Sequence, residues 1–433
     1  MRSLRHPRIS IALACAALLF GSALGLSAAD KVEVKFWDPD TRDTWVNARN
    51  VVMKDYQAKN PNVEFSFTTT DWNQLMPKLM ASVASGSTPD LYYLDTPAVA
   101  YGAASEGLIV PLTDVMKKIG LDNWPKSMID GVSLNGEIWG FPLYVYPQVV
   151  WYRKDLFQQA GLKPPATLDD LLKAAQTLNA PPKMYGMALY NSPDEPYILA
   201  GICGSFGCRL TDEKGAVTIN SAETIQALNF LKALFATASP DAVSKQDADA
   251  RLIFGGGGAA IMMSSVSFSD LLLRPGSKLT AAQVGAIPIP NKAKKAPATL
   301  ALYSVLVIPK GAKNVAEAKK FLEFWATAPE MIKFGENTVI GHIPVMKSVS
   351  DPNSSYWKSP RITPVAEYVR AGIDGAAKDG YVLGMYPKPN PCGPKAVAAG
   401  IYPQMVSHVI GDGWTAERVA AWAQDQVTKI CAK

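Results

Sequence analysis

Strand and helix patterns alternate along the N-terminal third of the chain, and this alternation constrains its fold more than any other feature. Residues 32–37, 63–68 and 91–94 predict three short strands. Between them, apolar side chains recur at helical spacing over 45–56 and over 75–84. This order is typical of a mostly parallel sheet that is covered by helices.

Helix starts recur farther along the chain, at Thr167, Ser221, Asn314 and Thr415, each before apolar residues at helical spacing. Asn314 and Glu317 have the spacing of a capping-box pair. A length of 433 residues suggests two or three units of domain size, and a hydrophobic content of 48% is enough to bury sizeable cores. We therefore expect an α/β fold with more than one unit.

The first 29 residues have the layout of an export signal. Three arginines within the first eight residues precede an apolar stretch over 9–19, and Ser27-Ala28-Ala29 then offers small side chains to a signal peptidase. A retained membrane anchor is the alternative, and the short, interrupted apolar stretch disfavours it. We expect a secreted, periplasmic protein whose mature chain begins at Asp30.

The charge of the chain gives no reason to expect a nucleic acid as partner. The formal net charge is +5, and it falls to +2 when the three arginines of the export signal are removed. The remaining basic residues are scattered, and no long acidic or basic run occurs. Nucleic-acid binding usually requires a concentrated basic surface.

Four cysteines would remain in the mature chain: Cys203, Cys208, Cys392 and Cys431. An even number in an oxidising compartment suggests disulfides, for which four cysteines allow three connectivities. Cys203 and Cys208 enclose a short glycine-containing loop, so we predict that they are bonded, and Cys392 and Cys431 then pair by elimination. A structural zinc site is the alternative, but the spacing does not match paired zinc ligands.

Catalytic and cofactor motifs are nearly missing from the chain. It contains no HExxH, no GxSxG and no phosphate-binding Walker loop. The SxxK match at 355–358 has no accompanying KTG element, and the mature chain would keep only His342 and His408 as histidines. We therefore predict no catalytic residue, no cofactor and no metal, although the many acidic residues leave a catalytic carboxylate pair open.

Aromatic residues follow several predicted strands. Trp37, Trp72, Tyr144, Tyr146 and Phe268 all stand at such positions. Ligands bind at strand ends in open α/β sheets, and flat aromatic faces suit the apolar faces of sugar rings. Each aromatic residue alone could equally belong to a core. Together they predict an aromatic cleft with a polar rim.

Several segments resemble one protein family, in the order in which that family has them. The most specific are GEIWGFP over 136–142 and WYRKDLF over 151–157, after STPDL over 87–91 and GLIVPL over 107–112. The chain resembles the extracellular solute-binding proteins of ABC importers, in the large family that includes the maltose-binding protein. The resemblance spans nearly all of the mature chain.

The resemblance implies a two-lobed periplasmic binding protein fold with a ligand cleft between discontinuous lobes. One lobe would take residues 30–143 and 295–327, and the other would take 144–294 and 328–433. Ligand contacts on both lobes would favour hinge closure. The implied partners are a small sugar or polyol and an ABC permease in the inner membrane, with the receptor itself a monomer.

The resemblance also implies which residues line the cleft: Trp37, Asp38, Arg42, Trp72, Asp95, Tyr144, Tyr146, Ser267, Phe268 and Tyr303. Many relatives have Gly followed by Trp where this chain has SSVSF over 264–268, so the particular sugar stays open. A receptor for a charged solute, such as a polyamine or a phosphorylated polyol, remains an alternative. A secreted glycoside-active enzyme, which could also have an aromatic cleft, is a second one.

We predict that the mature protein begins at Asp30, because the basic, apolar and small-residue regions occur in the order that a signal peptidase requires. Mass spectrometry of the protein from its native host checks this prediction. A dominant species that still carries residues 1–29 would contradict it.

Overall fold

The computed structural model describes residues 31–192, 196–273, 276–292, 299–300, 302–338, 343–344 and 346–432. The predicted export signal, Asp30 and His342 lie outside these ranges. Among the helices of the described ranges, none is long and apolar enough to cross a membrane.

The strands are β1 (Val32–Asp38), β2 (Val63–Thr69), β3 (Leu91–Leu94), β4 (Ser133–Leu134), β5 (Glu137–Ile138), β6 (Phe141–Val145), β7 (Gln148–Arg153), β8 (Tyr185–Ala188), β9 (Ala259–Ser265), β10 (Val284–Pro288), β11 (Thr299–Leu300), β12 (Tyr303–Val307) and β13 (Gly380–Tyr381). The α-helices are α1 (Asp43–Lys59), α2 (Leu75–Ser85), α3 (Pro97–Ser105), α4 (Thr113–Ile119), α5 (Lys126–Gly131), α6 (Lys154–Gln159), α7 (Leu168–Thr177), α8 (Tyr197–Phe206), α9 (Ala222–Phe235), α10 (Asp247–Gly255), α11 (Ser269–Leu273), α12 (Val315–Trp325), α13 (Ala328–Thr338), α14 (Lys347–Ser350), α15 (Ala366–Asp379), α16 (Cys392–Ala398), α17 (Ile401–Val406) and α18 (Ala416–Cys431).

The first large sheet has the strand order β2-β1-β3-β12-β6. Strand β1 runs parallel to β2 and β3, as the sequence predicts, whereas β12 runs antiparallel to both β3 and β6. The carboxyl ends of β1, β2, β3 and β6 therefore lie at one edge of this sheet. That edge is where an open α/β sheet binds its ligands.

The second large sheet has the strand order β10-β7-β9-β8. Strand β7 is antiparallel to both β10 and β9, and β8 is parallel to β9. Only Tyr146 and Pro147 separate the end of β6 from the start of β7, so the chain crosses directly from the first sheet to the second. The ends of both sheets meet at this crossing.

The alternation of apolar and polar residues in β1 places its apolar side chains in a core on one side of the first sheet. In β1, Val34 and Phe36 are buried while their neighbours Glu33 and Lys35 are exposed. Helix α1 packs through the predicted apolar face, in which Trp45 is wholly buried. Burying apolar area at this spacing is the main stabilising contribution of an amphipathic helix.

Helix α13 packs against α1, with the Phe334 ring centroid 5.1 Å from that of Trp45. Lys333 of α13 also forms an ion pair with Asp55 of α1. The sequence-based lobe limits assign residues 328–433 to the second lobe, whereas these contacts place α13 beside the first sheet. The lobe limits remain a prediction, and the contacts favour a return crossing beyond Thr338.

The predicted helix starts differ in how they are capped. Thr167 forms a capping box with Asp170, and the Ser221 and Thr415 side chains also cap their helices. Asn314 makes no cap; its side-chain amide donates instead to the backbone oxygen of Glu33 at 2.9 Å. The predicted capping box at α12 is therefore wrong, because tertiary contacts satisfy the Asn314 side chain instead.

Of the two predicted disulfides, the structure contains Cys392–Cys431, which joins the start of α16 to the end of α18 with 4.8 Å between the Cα atoms. The predicted Cys203–Cys208 bond is absent, and both residues are buried thiols. Cys203 lies inside α8, and the backbone N–H of Cys208 donates to the Cys203 carbonyl oxygen at 2.9 Å. The predicted short loop is thus a helix end, and burial raises the pKa of the Cys203 thiol.

We expect the Cys392–Cys431 bond to stabilise the protein by about 2–4 kcal/mol, because it restricts the unfolded chain over a sequence separation of 39 residues. Urea unfolding with and without dithiothreitol measures this contribution. A variant with Cys203→Ala and Cys208→Ala should respond to dithiothreitol as the wild type does. An unfolding midpoint that dithiothreitol leaves unchanged would contradict the prediction.

Candidate ligand-binding site

Asp38 ends β1 at the carboxyl edge of the first sheet, but its carboxylate is used inside the protein. It accepts hydrogen bonds from Trp45 Nε1 and Arg49 Nη1 at 2.6 Å each, and from the backbone N–H of Asp40 at 2.9 Å. Burial raises the pKa of Asp38, although the charge of Arg49 and these hydrogen bonds oppose the effect. Asp38 therefore holds the loop that follows β1 in place.

That loop carries an ion pair between a buried carboxylate, Asp40, and a partly exposed guanidinium group, Arg42. Arg42 Nε donates to Asp40 Oδ1 at 2.9 Å, and the guanidinium also pairs with Asp40 Oδ2. Burial alone would lower the pKa of Arg42, but the hydrogen bond and charge of Asp40 outweigh it and raise the pKa above its ordinary value. More than half of the Arg42 side chain is exposed, so a charged donor lies at this edge.

A group of three hydroxyls lies beneath the same edge. Tyr93 and Tyr144 share a hydrogen bond of 2.6 Å between their hydroxyl oxygens, and Tyr93 also bonds to Ser304. Tyr144 is wholly buried, and its ring lies 5.2 Å from Trp45 and 6.1 Å from Phe334. Tyr144 therefore belongs to the core, and the predicted stacking of its ring on a sugar does not match this position.

The two tryptophans of the predicted cleft lie in different surroundings. Trp72 is 44% exposed, and the edge of its ring meets Tyr93 with the centroids 5.6 Å apart. Trp37 is half-buried beside Tyr92, with Lys78 Nζ 5.1 Å from its ring centroid. Successive strand residues face opposite sides of a sheet, so Trp37 points away from Asp38.

A cavity of about 200 Å³ lies at the carboxyl end of β3. Asp95, Thr96 and Pro97 form its wall on the first sheet, and Pro196 and Tyr197 line it from the start of α8. A small ligand in this cavity would touch segments far apart in the chain. Its lining combines polar groups with one aromatic ring, as small-molecule sites commonly do.

The polar wall of this cavity is anchored to the crossing between the sheets. Tyr146 donates its hydroxyl hydrogen to Asp95, whose Oδ1 and backbone oxygen lie 3.2 and 3.3 Å away. Burial raises the pKa of Asp95, with the Tyr146 hydrogen bond and the charge of Arg42 opposing it. Burial and the Asp95 charge also raise the pKa of Tyr146. Tyr146 therefore stays a neutral donor near pH 7.

Known proteins resemble this chain along most of its length. The model of the family of bacterial extracellular solute-binding proteins matches residues 43–332. The chain belongs to this family. Its members bind solutes and are not a class of enzymes, and their location is extracellular.

Among its relatives, the mannitol-binding protein of Pseudomonas aeruginosa is 27% identical over 286 residues, which are 64% of this chain and 65% of that protein. A solute-binding protein of Agrobacterium radiobacter K84 in complex with ribitol superposes with a TM-score of 0.73 at 22% identity, covering 93% of this chain and 99% of that one. Maltose-bound MalE3 of T. maritima superposes with a TM-score of 0.73 at 19% identity, covering 92% and 99%. These structures confirm the two-lobed α/β fold.

Two predicted contact residues of this solute-binding protein lie in its core instead. Phe268 is wholly buried, with its ring centroid 5.1 Å from that of Trp151. Tyr303 is also wholly buried, and its hydroxyl donates to the backbone oxygen of Met128 at 2.9 Å. A short helical turn over 266–268 directs Phe268 inward and leaves Ser267 partly exposed. Ser304, next to Tyr303, is the residue that reaches the tyrosine hydroxyls.

Sequence reasoning missed two residues of the solute-binding protein. Tyr197 lines the cavity opposite Asp95, but only the packing of α8 brings them together. Arg251 of α10 binds three serines at the end of β9, of which the sequence singled out only Ser267. Within the described ranges, no three His, Cys, Asp or Glu side chains gather as metal ligands do.

We predict that Tyr144→Ala lowers the free energy of unfolding by about 3–5 kcal/mol, as truncation of other large buried rings does. Trp72→Ala should cost less than about 1 kcal/mol, because its ring is exposed. Urea unfolding of the unliganded protein measures both. The control is Tyr144→Phe, which removes only a hydroxyl group and should cost about 1 kcal/mol. Equal losses in the two alanine variants would contradict the assignment of Tyr144 to the core.

Proposed function

We propose that this protein is the substrate-binding component of an ABC importer and captures a small carbohydrate or polyol in the periplasm. The observation that carries the proposal is the cavity of about 200 Å³ lined by Asp95, Thr96 and Tyr197. Carboxylate and hydroxyl groups can match the hydroxyl fringe of a sugar, and a tyrosine ring can cover an apolar face. Relatives that bind mannitol, ribitol and maltose support the same ligand class.

The mechanism that we propose is hinge closure around a solute that contacts both walls of the cavity, at Asp95 and at Tyr197. A ligand that contacts Asp95 on one wall and Tyr197 on the other favours the closed form, because it binds that form more tightly. The closed monomer would then dock on a permease in the inner membrane and release the solute. No turnover of the solute is part of this proposal, so the protein would act as a receptor and not as an enzyme.

The charges beside the predicted contact residues Asp38, Arg42 and Ser267 favour an uncharged solute over the charged alternatives. Each of three arginines there pairs with a carboxylate, in the pairs Arg42–Asp40, Arg49–Asp38 and Arg251–Asp247. A receptor for a phosphorylated polyol would need cations that are not already neutralised. Asp95 lies in the positive field of Arg42, which works against selection of a polyamine.

A thermal-shift screen of the purified mature protein tests this proposal. The panel contains mono- and oligosaccharides, polyols, amino acids and polyamines. We expect at least one sugar or polyol to raise the melting temperature in a concentration-dependent manner, since a ligand that binds only the folded state stabilises it. Stabilisation by polyamines, phosphorylated polyols or amino acids alone would contradict the proposal. Hydrolysis of a glycoside in the same samples would favour the enzyme alternative.

A further inference from the structure

Arg251 donates hydrogen bonds to three serine hydroxyls at the end of β9. Its Nε, Nη1 and Nη2 donate to the Oγ atoms of Ser264, Ser267 and Ser265, each at 3.0 Å. Arg251 also forms an ion pair with Asp247, one turn earlier in α10. A guanidinium group only donates, so each of these hydroxyls accepts from Arg251 and must direct its own hydrogen elsewhere.

Counting the hydroxyl hydrogens shows that one donor is left over. Ser264 donates its hydrogen to Asp247 Oδ1 at 2.8 Å. Ser265 and Ser267 are hydrogen-bonded to each other, which uses one of their two hydrogens. In the part of the chain that the structure describes, no acceptor receives the other one. Ser267 is the more exposed of the two, so it is the donor that can face a ligand.

The segment 264–267, which we call the serine turn, lies at the crossing between the sheets. Ser265 pairs with Gln148 at the start of β7, and the backbone N–H of Val266 donates to the Pro147 oxygen at 3.0 Å. The residue before Pro147 is Tyr146, whose hydroxyl donates to Asp95 on the cavity wall. The adjacent residues Tyr146 and Pro147 thus link the polar wall, through a side-chain hydroxyl, to the serine turn, through the backbone.

From this geometry we infer that Arg251 is a positioning residue: it orients Ser265 and Ser267 so that Ser267 donates to an uncharged oxygen of the solute. The inference rests on the proposed function and narrows its ligand class. Asp247 balances the charge of Arg251, so the turn offers a hydrogen bond without a net positive charge. A sugar or polyol hydroxyl oxygen fits that donor better than a carboxylate, because a neutral ion pair supplies little attraction to offset the cost of removing a carboxylate from water.

Matched pairs of solutes test the ligand class. Ribitol, D-mannitol and maltitol are titrated calorimetrically into the mature protein, next to D-ribonate, D-mannonate and maltobionate, in which a carboxylate replaces the C1 hydroxymethyl group. We expect at least one neutral member to bind, and its acid to bind at least about tenfold more weakly. An acid that binds as tightly as its neutral partner would overturn the inference while leaving solute capture intact. If no neutral sugar or polyol binds, either in these pairs or in the thermal-shift panel, the proposed ligand class fails and the inference fails with it.

Two substitutions test the role of Arg251. Ser267→Ala and Arg251→Met should each weaken binding of the neutral solute about tenfold. This is the upper end of the range expected for the loss of one hydrogen bond. If Arg251 acts through Ser267, the double variant should bind about as weakly as either single variant. The controls are Arg209→Met, which removes another partly buried arginine, and Ser277→Ala, which removes a hydroxyl bonded to Leu279. Both should bind as the wild type does.

Arg251→Lys separates positioning from folding. Lysine keeps a cation beside Asp247 but cannot bind three hydroxyls in a fixed fork, so we expect wild-type melting of the unliganded protein together with the same loss of affinity. Wild-type affinity in Arg251→Lys and in Ser267→Ala would overturn the inference, as would additive effects in the double variant.

Discussion

The short crossing between β6 and β7 is the constraint on which the arrangement of the site depends. Two residues join the sheets, and backbone hydrogen bonds hold them from both sides. Tyr146 N–H donates to the Leu302 oxygen at 2.8 Å, and the Pro147 oxygen accepts from Val266 at 3.0 Å. Proline itself has no N–H that would need a partner here. The crossing therefore fixes the serine turn through its backbone, and it fixes the polar wall through the Tyr146 side chain.

Pairing of charges is the second principle of the site. Asp38 and Arg49 are both buried, and a buried charge is tolerated when an opposite charge and hydrogen bonds accompany it. Asp247 neutralises the charge of Arg251 in the same way, and the Arg251 guanidinium group donates hydrogen bonds to serine hydroxyls. Such pairs supply directional donors and acceptors while adding little net field, which suits recognition of hydroxyl patterns.

Most of the fold could be predicted from the sequence, because each prediction depended on a local period or a local cap. Strands β1 to β3 and helix α1 are confirmed, as is the cap at Thr167. A local pattern does not predict which face of an element its neighbours cover. Tyr144, Phe268 and Tyr303 stand at strand ends, as cleft residues do, yet neighbouring helices and sheets bury them.

The candidate site was less predictable for the same physical reason. The sequence places Asp95 at the end of β3 and Ser267 after β9, and both positions hold polar groups that a solute could meet. Tyr197 and Arg251 have no local signal, because their roles come from helices packing onto strands distant in sequence. Close spacing in the sequence also suggested a Cys203–Cys208 bond, whereas the structure has two buried thiols at the C-terminal end of α8.

The position of β12 has a consequence for the order in which the protein assembles. Strand β12 lies between β3 and β6 in the first sheet, although in the sequence it follows every strand of the second sheet. Until Tyr303–Val307 has been synthesised, β3 and β6 lack the neighbour that satisfies their backbone groups. Pairing across more than two hundred residues of intervening chain slows folding through the entropy of loop closure. The N-terminal segment is therefore incomplete as an independent unit, and the first sheet reaches its native form only after all strands of the second sheet have been synthesised.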